Sequence, residues 1–596
     1  MKMKDIKNFA VLAVVGCGLM TISSCSDSYM EEVNTDKTKT LTTDPNGQLT
    51  TALLQTYGDF GIMDTYRSYI TGFTQHFAGG WNVSKYAGSV HFDDDDARLI
   101  WDRFYTIGIK NLRDAIAHTA DKPNLNAILR IHRVYMMAVI TDTYGDVPCL
   151  SVLGGLDETS STPAYDKQED IYNWFFTELT ACVEQLDDTK DIVTGDVTKY
   201  DGDVNLWKKY ANSLRMRYAM RISDVNPAKA QAEFEAAYNT GNYISASREE
   251  AYVKYNNSPF TYYDGSRDYD FRVNALGEIL YGQDPASPSS LICATLMEYL
   301  KGNSDPRCYK IVRHYMNLKR SQIKPTKSGN VDLTDEVLAY NAANSGSETP
   351  CYPGYAWYST NNDLKIGWVS GPSLDKMPTL KKLVDQDPEA GYDKNNYPER
   401  MMRPWLSIDF CQPNCSGILM TYAEVEFLLA EAKSKGWNIS GEVVDHYKEG
   451  TKEAILHINK FYLEGDDNIL ESDITTYVNT MAAQYDFSDA ETARAAINLQ
   501  AWILHMMNPA EAWANLRRAD YPVIYNRESL GDNGDFTYDG DGLKTPTRLR
   551  YPALEGKYNS ANYQEAVDRM GGKDDWHHPV WWDVHPYNTK DYVIPE

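Results

Sequence analysis

Trp81 and Asn82 stand side by side after a Gly79-Gly80 pair, and Tyr86 follows four residues later. A flat ring beside an amide suits a sugar. The ring covers the apolar C–H face of a pyranose, and the amide bonds its fringe of hydroxyls. A second aromatic group, Tyr355, Trp357 and Trp368, lies in a stretch rich in Gly, Ser, Asn and Pro. Trp81, Asn82, Tyr86, Tyr355, Trp357 and Trp368 are therefore the candidate ligand-binding residues. Trp101 and Trp207 lie in helical patterns and are assigned to packing.

No comparable set supports catalysis. A Gly-x-Ser-x-Gly elbow, a His-Glu-x-x-His zinc helix and a Gly-x-x-x-x-Gly-Lys phosphate loop are all missing. No catalytic residue and no cofactor is expected. Glycosidase carboxylates leave no local signature, so a surface glycoside hydrolase stays as an alternative. The run Asp93–Asp96 lacks the alternating ligands and closing Glu of a calcium loop and reads as a solvated acidic turn; no metal is assigned there. Asp532–Gly542 is a second acidic, glycine-rich loop without that spacing.

Cys25 carries a different chemistry. Lysines at positions 2, 4 and 7 precede the apolar run Phe9–Met20, which is too short to cross a bilayer of roughly 30 Å as a helix. Ile22-Ser23-Ser24 then leads to Cys25. A charged start, an apolar middle and small residues before a cysteine resemble a bacterial lipoprotein signal. Residues 1–24 would be removed and the Cys25 thiol acylated. Several acyl chains, at about 0.8 kcal/mol per buried methylene, hold a protein on a membrane.

The chain has 596 residues, 42% of them hydrophobic, enough for a large core. Tyrosine is overrepresented, with 43 copies beside 13 tryptophans, which suits wet binding surfaces as well as packing between helices. Net charge is −26; removing the signal, which carries Lys2, Lys4 and Lys7 against Asp5, leaves about −28. That field repels phosphate backbones, so no nucleic-acid partner is expected. Beyond Cys17 in the signal and Cys25, the cysteines are Cys149, Cys182, Cys293, Cys308, Cys351, Cys411 and Cys415. The number is odd, so not all can pair within the chain; a local Cys411–Cys415 bridge is possible by spacing, and the connectivity stays open.

The elements that must position the aromatic groups are helices. Residues 25–47 read as a polar tether. Helices are expected over Gln48–Phe60, Arg98–Thr119, Leu125–Tyr144, Lys167–Leu186, Val204–Ile222, Pro227–Tyr238, Ile418–Lys435, Glu442–Phe461 and Ala490–Met507, from 3.6-residue periodicity and Pro/Gly boundaries. The bases of Val204–Ile222, including Lys209, Arg215, Arg217 and Arg221, read as internal ion-pair partners in so acidic a protein. Gly72–Asp96 reads as a long shaped loop. From Asn242 to Gln412 helical periodicity is sparse, which marks a loop-rich, functional region. The tail Trp576–Pro586 holds Trp576, Trp581 and Trp582 with His577, His578 and His585. Paired helices at both ends suggest tetratricopeptide-like stacking around an irregular insertion.

Several stretches, in order along the chain, carry a family resemblance. They are Thr141-Asp142-Thr143-Tyr144-Gly145-Asp146-Val147-Pro148, the run Trp207–Arg217 (Trp-Lys-Lys-Tyr-Ala-Asn-Ser-Leu-Arg-Met-Arg), and Met420–Ala432 (Met-Thr-Tyr-Ala-Glu-Val-Glu-Phe-Leu-Leu-Ala-Glu-Ala). Arg517-Arg518-Ala519-Asp520-Tyr521-Pro522, Arg550-Tyr551-Pro552 and Trp581-Trp582-Asp583 complete the set. Together they resemble the SusD/RagB family of surface lipoproteins. The resemblance implies an all-α fold of tetratricopeptide-like helix pairs with a large irregular loop-rich insertion. It implies one such domain over residues 48–596: scaffold at about 48–241 and 416–520, a ligand-binding region at about 242–415 and an irregular C-terminal segment 521–596. It also implies a place on the extracellular face of the outer membrane. The expected partners are a SusC-like TonB-dependent transporter and an oligosaccharide, or a peptide as in some members. The quoted motifs are scaffold motifs, and none is carried over as a binding residue.

Overall fold

The helices begin where short polar side chains or proline satisfy their first turns. In the computed structural model residues 43–79, 83–88, 90–156, 160–257, 271–281, 291–317, 330–344, 378–386, 404–530 and 544–591 are described. The principal helices are α1 (Pro45–Gly58), α2 (Lys110–Ala117), α3 (Pro123–Tyr144), α4 (Gln168–Gln185), α5 (Val204–Arg221), α6 (Pro227–Asn239), α7 (Ala294–Gly302), α8 (Tyr422–Ser434), α9 (Val443–Phe461), α10 (Glu471–Gln484), α11 (Ala490–Leu504) and α12 (Pro509–Ala519). Asp203 caps α5 by accepting from the Asn205 and Leu206 amides, and Thr421 caps α8 by accepting from the Glu424 amide. Proline opens α3, α6 and α12, where a missing N–H costs nothing. Gly145, at φ +86°, ends α3 in a conformation that favours glycine.

The scaffold is a series of antiparallel helix pairs: α1 with α2, α3 with α4, α5 with α6, and α8 with α9, to which α10, α11 and α12 are added. The fold is all-α and tetratricopeptide-like, with loop-rich insertions. Nearly every residue of the 22-residue α3 is buried, so it is a central helix and not an amphipathic one. The C-terminal segment threads back into this core: Trp576 and Trp582 are fully buried alongside Trp207, Trp502 and Trp513. Among the described residues no helix is long and apolar enough to cross a membrane.

Short strands fasten the loops: β1 (Phe77–Ala78), β2 (Ala251–Val253), β3 (Leu291–Ile292), β4 (Val312–Arg313), β5 (Tyr315–Asn317), β6 (Asn330–Asp332), β7 (Trp405–Leu406), β8 (Gly417–Met420), β9 (Ile524–Asn526) and β10 (Thr589–Asp591). β1, β3, β7 and β4 form one sheet in that order; β2 pairs with β8, β5 with β6, and β9 with β10.

Several boundaries differ from the sequence reading. α1 starts at Pro45, inside the stretch assigned to the tether. Ile418–Met420, read as helix, belongs to β8, because those residues pair with Ala251 and Tyr252 before Thr421 starts the helix. The expected loop Gly72–Asp96 contains β1, a π-helical turn at Ser84–Gly88 and a short helix at Asp94–Ala97 capped by Asp93. Helix Arg98–Thr119 is interrupted by a π-helical segment, Phe104–Ile109, where Gly108 lies so close to Met136 and Gln55 that a Cβ would collide at 2.2 Å and 2.6 Å. α10 was missed. The loop-rich region also contains helices at Ala275–Tyr281, α7, Thr334–Asn344 and Pro378–Gln386.

The local bridge considered for Cys411 and Cys415 does not form. Both thiols are free and buried, facing the Ser407 and Asp409 carbonyls at 3.7 Å and 3.5 Å; Cys149 and Cys182 are free as well. Removing a stabilising disulfide typically costs 2–5 kcal/mol. A reductant should therefore leave the thermal midpoint of the protein unchanged to within about 1 °C, against the roughly 2–4 °C that losing such a bridge would produce in a chain of this size. A calorimetric scan with and without reductant checks this, and a drop of several degrees would show a bridge.

Candidate functional site

One four-stranded sheet joins an early segment of the chain to the later loop-rich region. β1 ends just before Gly79-Gly80-Trp81-Asn82 in the sequence; Phe77 pairs with Ile292 and Ala78 with Leu291. β3 pairs in turn with β7, and β7 with β4, so three short segments of the later region share the sheet with β1. The Ser407 amide adds a bond of 2.7 Å to the Ile311 carbonyl. Segments more than 200 residues apart in sequence thus meet in one sheet.

The early loop is held at both ends. On the incoming side Gln75, at φ +57°, donates to the Tyr525 carbonyl at 2.8 Å and accepts from its amide at 2.9 Å. His76 stacks on Trp502 at 4.2 Å and bonds the Trp502 carbonyl. Burial drives its pKa down to about 3, so the ring is neutral. On the outgoing side the buried Arg527 guanidinium donates to the Ala87, Gly88 and Gly72 carbonyls at 2.5, 3.2 and 2.5 Å. Gly72 permits this approach: a Cβ there would meet Ala87 Cβ at 2.4 Å.

Of the six sequence candidates, Trp81, Asn82, Tyr355, Trp357 and Trp368 lie outside the described residues, as does Cys25. Tyr86 is described, and it is packed. It is 6% exposed, one face lies on Tyr69 at 5.1 Å with 6° between the planes, and His91 stacks at 6.1 Å. Its hydroxyl donates to Asp93 at 3.0 Å. Burial and the neighbouring Asp96 keep that hydroxyl protonated far above the usual range. Tyr86 thus acts here as a strut of the loop and offers a ligand no open face. A sequence pattern cannot separate an aromatic that holds a loop from one that the loop displays. Trp101 and Trp207 are core residues, as expected, and Trp207 donates its indole N–H to Asp196 at 2.7 Å.

The acidic run is a helix start. Asp93 caps its first turn, Asp95 pairs with Arg98 at 3.1 Å, and Asp94 accepts from the Ala553 amide at 2.9 Å. One other group among the described residues brings metal-type ligands together: the Glu424, His505 and Glu511 ligand atoms lie within 4.8 Å of one another. Arginines already occupy it. Arg217 donates to both Glu424 oxygens at 2.5 and 2.7 Å, and Arg221 donates to both Glu511 oxygens at 2.7 Å. Burial holds His505 below its ordinary pKa. Two guanidinium charges offset two carboxylates, and the arrangement is an internal ionic network. The adjoining cavity of about 20 Å³, lined by Asp142, Arg217, Asn508 and Glu511 among others, has room for about one water molecule.

This network explains the recognisable stretches. Arg217 of α5 meets Glu424 of α8; Glu431 of α8 meets Arg518 of α12. Asp142 of α3 accepts from the Trp582 indole at 2.9 Å and the Tyr172 hydroxyl at 2.6 Å. Arg517 lies over Trp513 at 3.8 Å and Trp582 at 4.9 Å. The bases of α5 are internal partners, as their setting in an acidic chain indicated.

The C-terminal segment adds a titrating pair. Burial raises Asp520 to about 8, with Asp583 adding to the effect, and burial raises Asp583 to about 7. The buried Oδ1 atoms of both have no hydrogen-bond partner among the described residues. A carboxyl whose folded pKa is raised contributes fully below its unfolded pKa, near 4, and loses that contribution as pH rises through the folded value. At the acid edge Glu431 acts with opposite sign: burial alone would raise it, but Arg518 holds it at about 2. Stability should therefore decline between about pH 5 and pH 8, and Asp583→Asn should flatten that decline. Urea midpoints of both proteins across this range check it; parallel profiles would exclude Asp583 as the cause.

The described scaffold is a helix-pair protein whose buried charges pair internally and whose early and later segments meet in a small sheet. Residues 36–358 match the family model described as "Starch-binding associating with outer membrane", and residues 391–583 match "Susd and RagB outer membrane lipoprotein". Among solved structures, a Bacteroidetes SusD-like protein is 36% identical with a TM-score of 0.80, covering 91% of this chain and 100% of its own. A chitin-binding protein is 28% identical with a TM-score of 0.68 over 91% of this chain and 100% of its own. A SusD homologue from Bacteroides uniformis, 22% identical with a TM-score of 0.63 over the same shares, matches in fold. No curated protein matches at the level of sequence. The chain belongs to the SusD/RagB family. It is an outer-membrane, surface-exposed lipoprotein of a non-enzymatic family that captures nutrients.

Proposed function

We propose that the captured nutrient is an oligosaccharide and that the protein passes it to a SusC-like TonB-dependent transporter, tethered meanwhile through acylated Cys25. The observation that supports the reading is the shared sheet: β1, which ends just before Gly79-Gly80-Trp81-Asn82 in the sequence, pairs with β3 of the later loop-rich region, and β3 with β7. Stacking rings and hydroxyl-binding amides suit a sugar chain better than an anion, which the −26 charge repels. A relative 28% identical over 91% of this chain is described as chitin-binding, which supports a glycan class. A shallow preformed site keeps affinity modest, so that cargo can leave inward.

The acidic surface favours one other ligand, a cationic peptide. A glycan array followed by calorimetry separates the two. Saturable binding to a glycan family is expected, and a screen that returns only peptides would replace the sugar with RagB-like peptide capture. Product release from a bound glycan would instead show a hydrolase. Delivery is tested by affinity purification from outer membranes, where a barrel should co-purify. Fatty-acid labelling that survives Cys25→Ala counts against the anchor.

A further inference from the structure

We infer that a second saccharide-contact site lies in the cleft between α10 and the turn that follows α7. This rests on the glycan reading above. The cleft has a volume of about 640 Å³, within the range of small-ligand sites. One wall is a single face of α10, where Asp473, Thr476 and Thr480 recur at helical spacing. The Thr476 hydroxyl donates to the Ser472 carbonyl and the Thr480 hydroxyl to the Thr476 carbonyl, each at 2.8 Å. Their hydrogens are committed, so their oxygens face the cleft side of the helix as acceptors, next to the Asp473 carboxylate.

The opposite wall supplies donors. Lys310 lines it, 3.9 Å from Asp467, and the Asn303 and Asn468 side-chain amides make no hydrogen bond among the described residues. Pro306 and Leu470, the latter 63% exposed, add aliphatic surface. A ligand that fits must offer closely spaced donors and acceptors and an apolar C–H face. That is a neutral sugar; the carboxylates reject a polyanion, and the polar walls reject a hydrocarbon.

The cleft is preformed. Beneath it the Asp305–Arg307 pair, fully buried at 2.6 Å, is tied to Gln500 at 2.6 Å, and Gln500 donates to the Tyr477 hydroxyl at 3.1 Å. Ser304, at φ +51°, holds the turn. α7 runs from just after β3 to this turn, and its nine residues span about 13 Å. α7 thus joins β3 of the sheet to one side of the cleft.

Calorimetry with malto-, cello-, xylo- and chitohexaose, and with the matching disaccharides, tests this. Thr476→Arg with Thr480→Arg fills the cleft at two exposed positions, and circular dichroism confirms the fold. For the hexasaccharide that the wild type binds, this variant should lose about three- to tenfold in affinity, with disaccharide binding at the loops unchanged. In a Trp81→Ala, Trp357→Ala background a weak residual site should persist and vanish when the arginines are added. A hexasaccharide bound equally well by wild type and the arginine variant overturns the cleft alone. Failure of every saccharide to bind the wild type overturns the glycan reading and the cleft with it.

Discussion

Truncating Glu431 to alanine should cost roughly 3–5 kcal/mol of folding stability, enough to threaten the folded state. Glu431 is 1% exposed and accepts from Arg518 at 2.5 and 2.8 Å. Arg518 is also bonded to Asn515 and Asn498, and Asn498 donates back to Glu431 at 3.2 Å. The network joins α8, α11 and α12. Removing the carboxylate leaves a guanidinium buried without its counter-charge, and that uncompensated charge sets the size of the effect. The exposed pair Arg569–Glu565 provides the contrast: Glu565 is 72% exposed, so Glu565→Ala should cost less than about 1 kcal/mol. Replacing both members of the buried pair, as Glu431→Leu with Arg518→Met, should recover much of the loss, because no unpaired charge remains. Urea denaturation of the four proteins decides it. A Glu431→Ala cost near that of Glu565→Ala would show that Arg518 finds another partner.

The second large effect concerns ligand. Trp81→Ala and Trp357→Ala should each weaken glycan binding by roughly 1–3 kcal/mol, or about fivefold to 150-fold, the value of one ring stacked on a sugar face. The thermal midpoint should not move, because a ring reserved for ligand carries no core packing. Trp101→Ala is the control. Trp101 packs against Tyr105, Tyr144, Tyr165 and Tyr551, so its loss should lower stability by about 3–5 kcal/mol. Titration calorimetry with the glycan identified by the array reads the affinities. Unchanged affinity in both loop variants would move the site elsewhere and leave the family assignment intact.

Much of the helical scaffold was legible along the chain. α3, α5 and α9 announced themselves by period and by Pro, Asp and Gly at their ends. Those signals act within a few residues, so sequence alone carries them. β8 was misread because Ile418–Met420 continues the apolar run of α8; only the partner strand at Ala251–Val253, far upstream, decides that it is extended. α10 was missed: its buried Ile474, Tyr477, Val478 and Met481 are spaced among polar residues and become a face only against α9.

The same division holds for the site. Residue types and spacing pointed to stacking on sugars and to Cys25, and the ordered motifs pointed to the family. Which aromatic supports a loop and which is available to a ligand is a matter of neighbours, as Tyr86 shows by lying between Tyr69 and His91. The partners of Arg217 and Arg221 are likewise more than 200 residues away, in Glu424 and Glu511. Composition and local pattern determined the class of protein, because helix caps, periodicity and the leader act over short range. The tertiary structure decided the ionic core and the sheet in which β1 meets β3 and β7, because long-range pairing and burial exist only once the chain has folded.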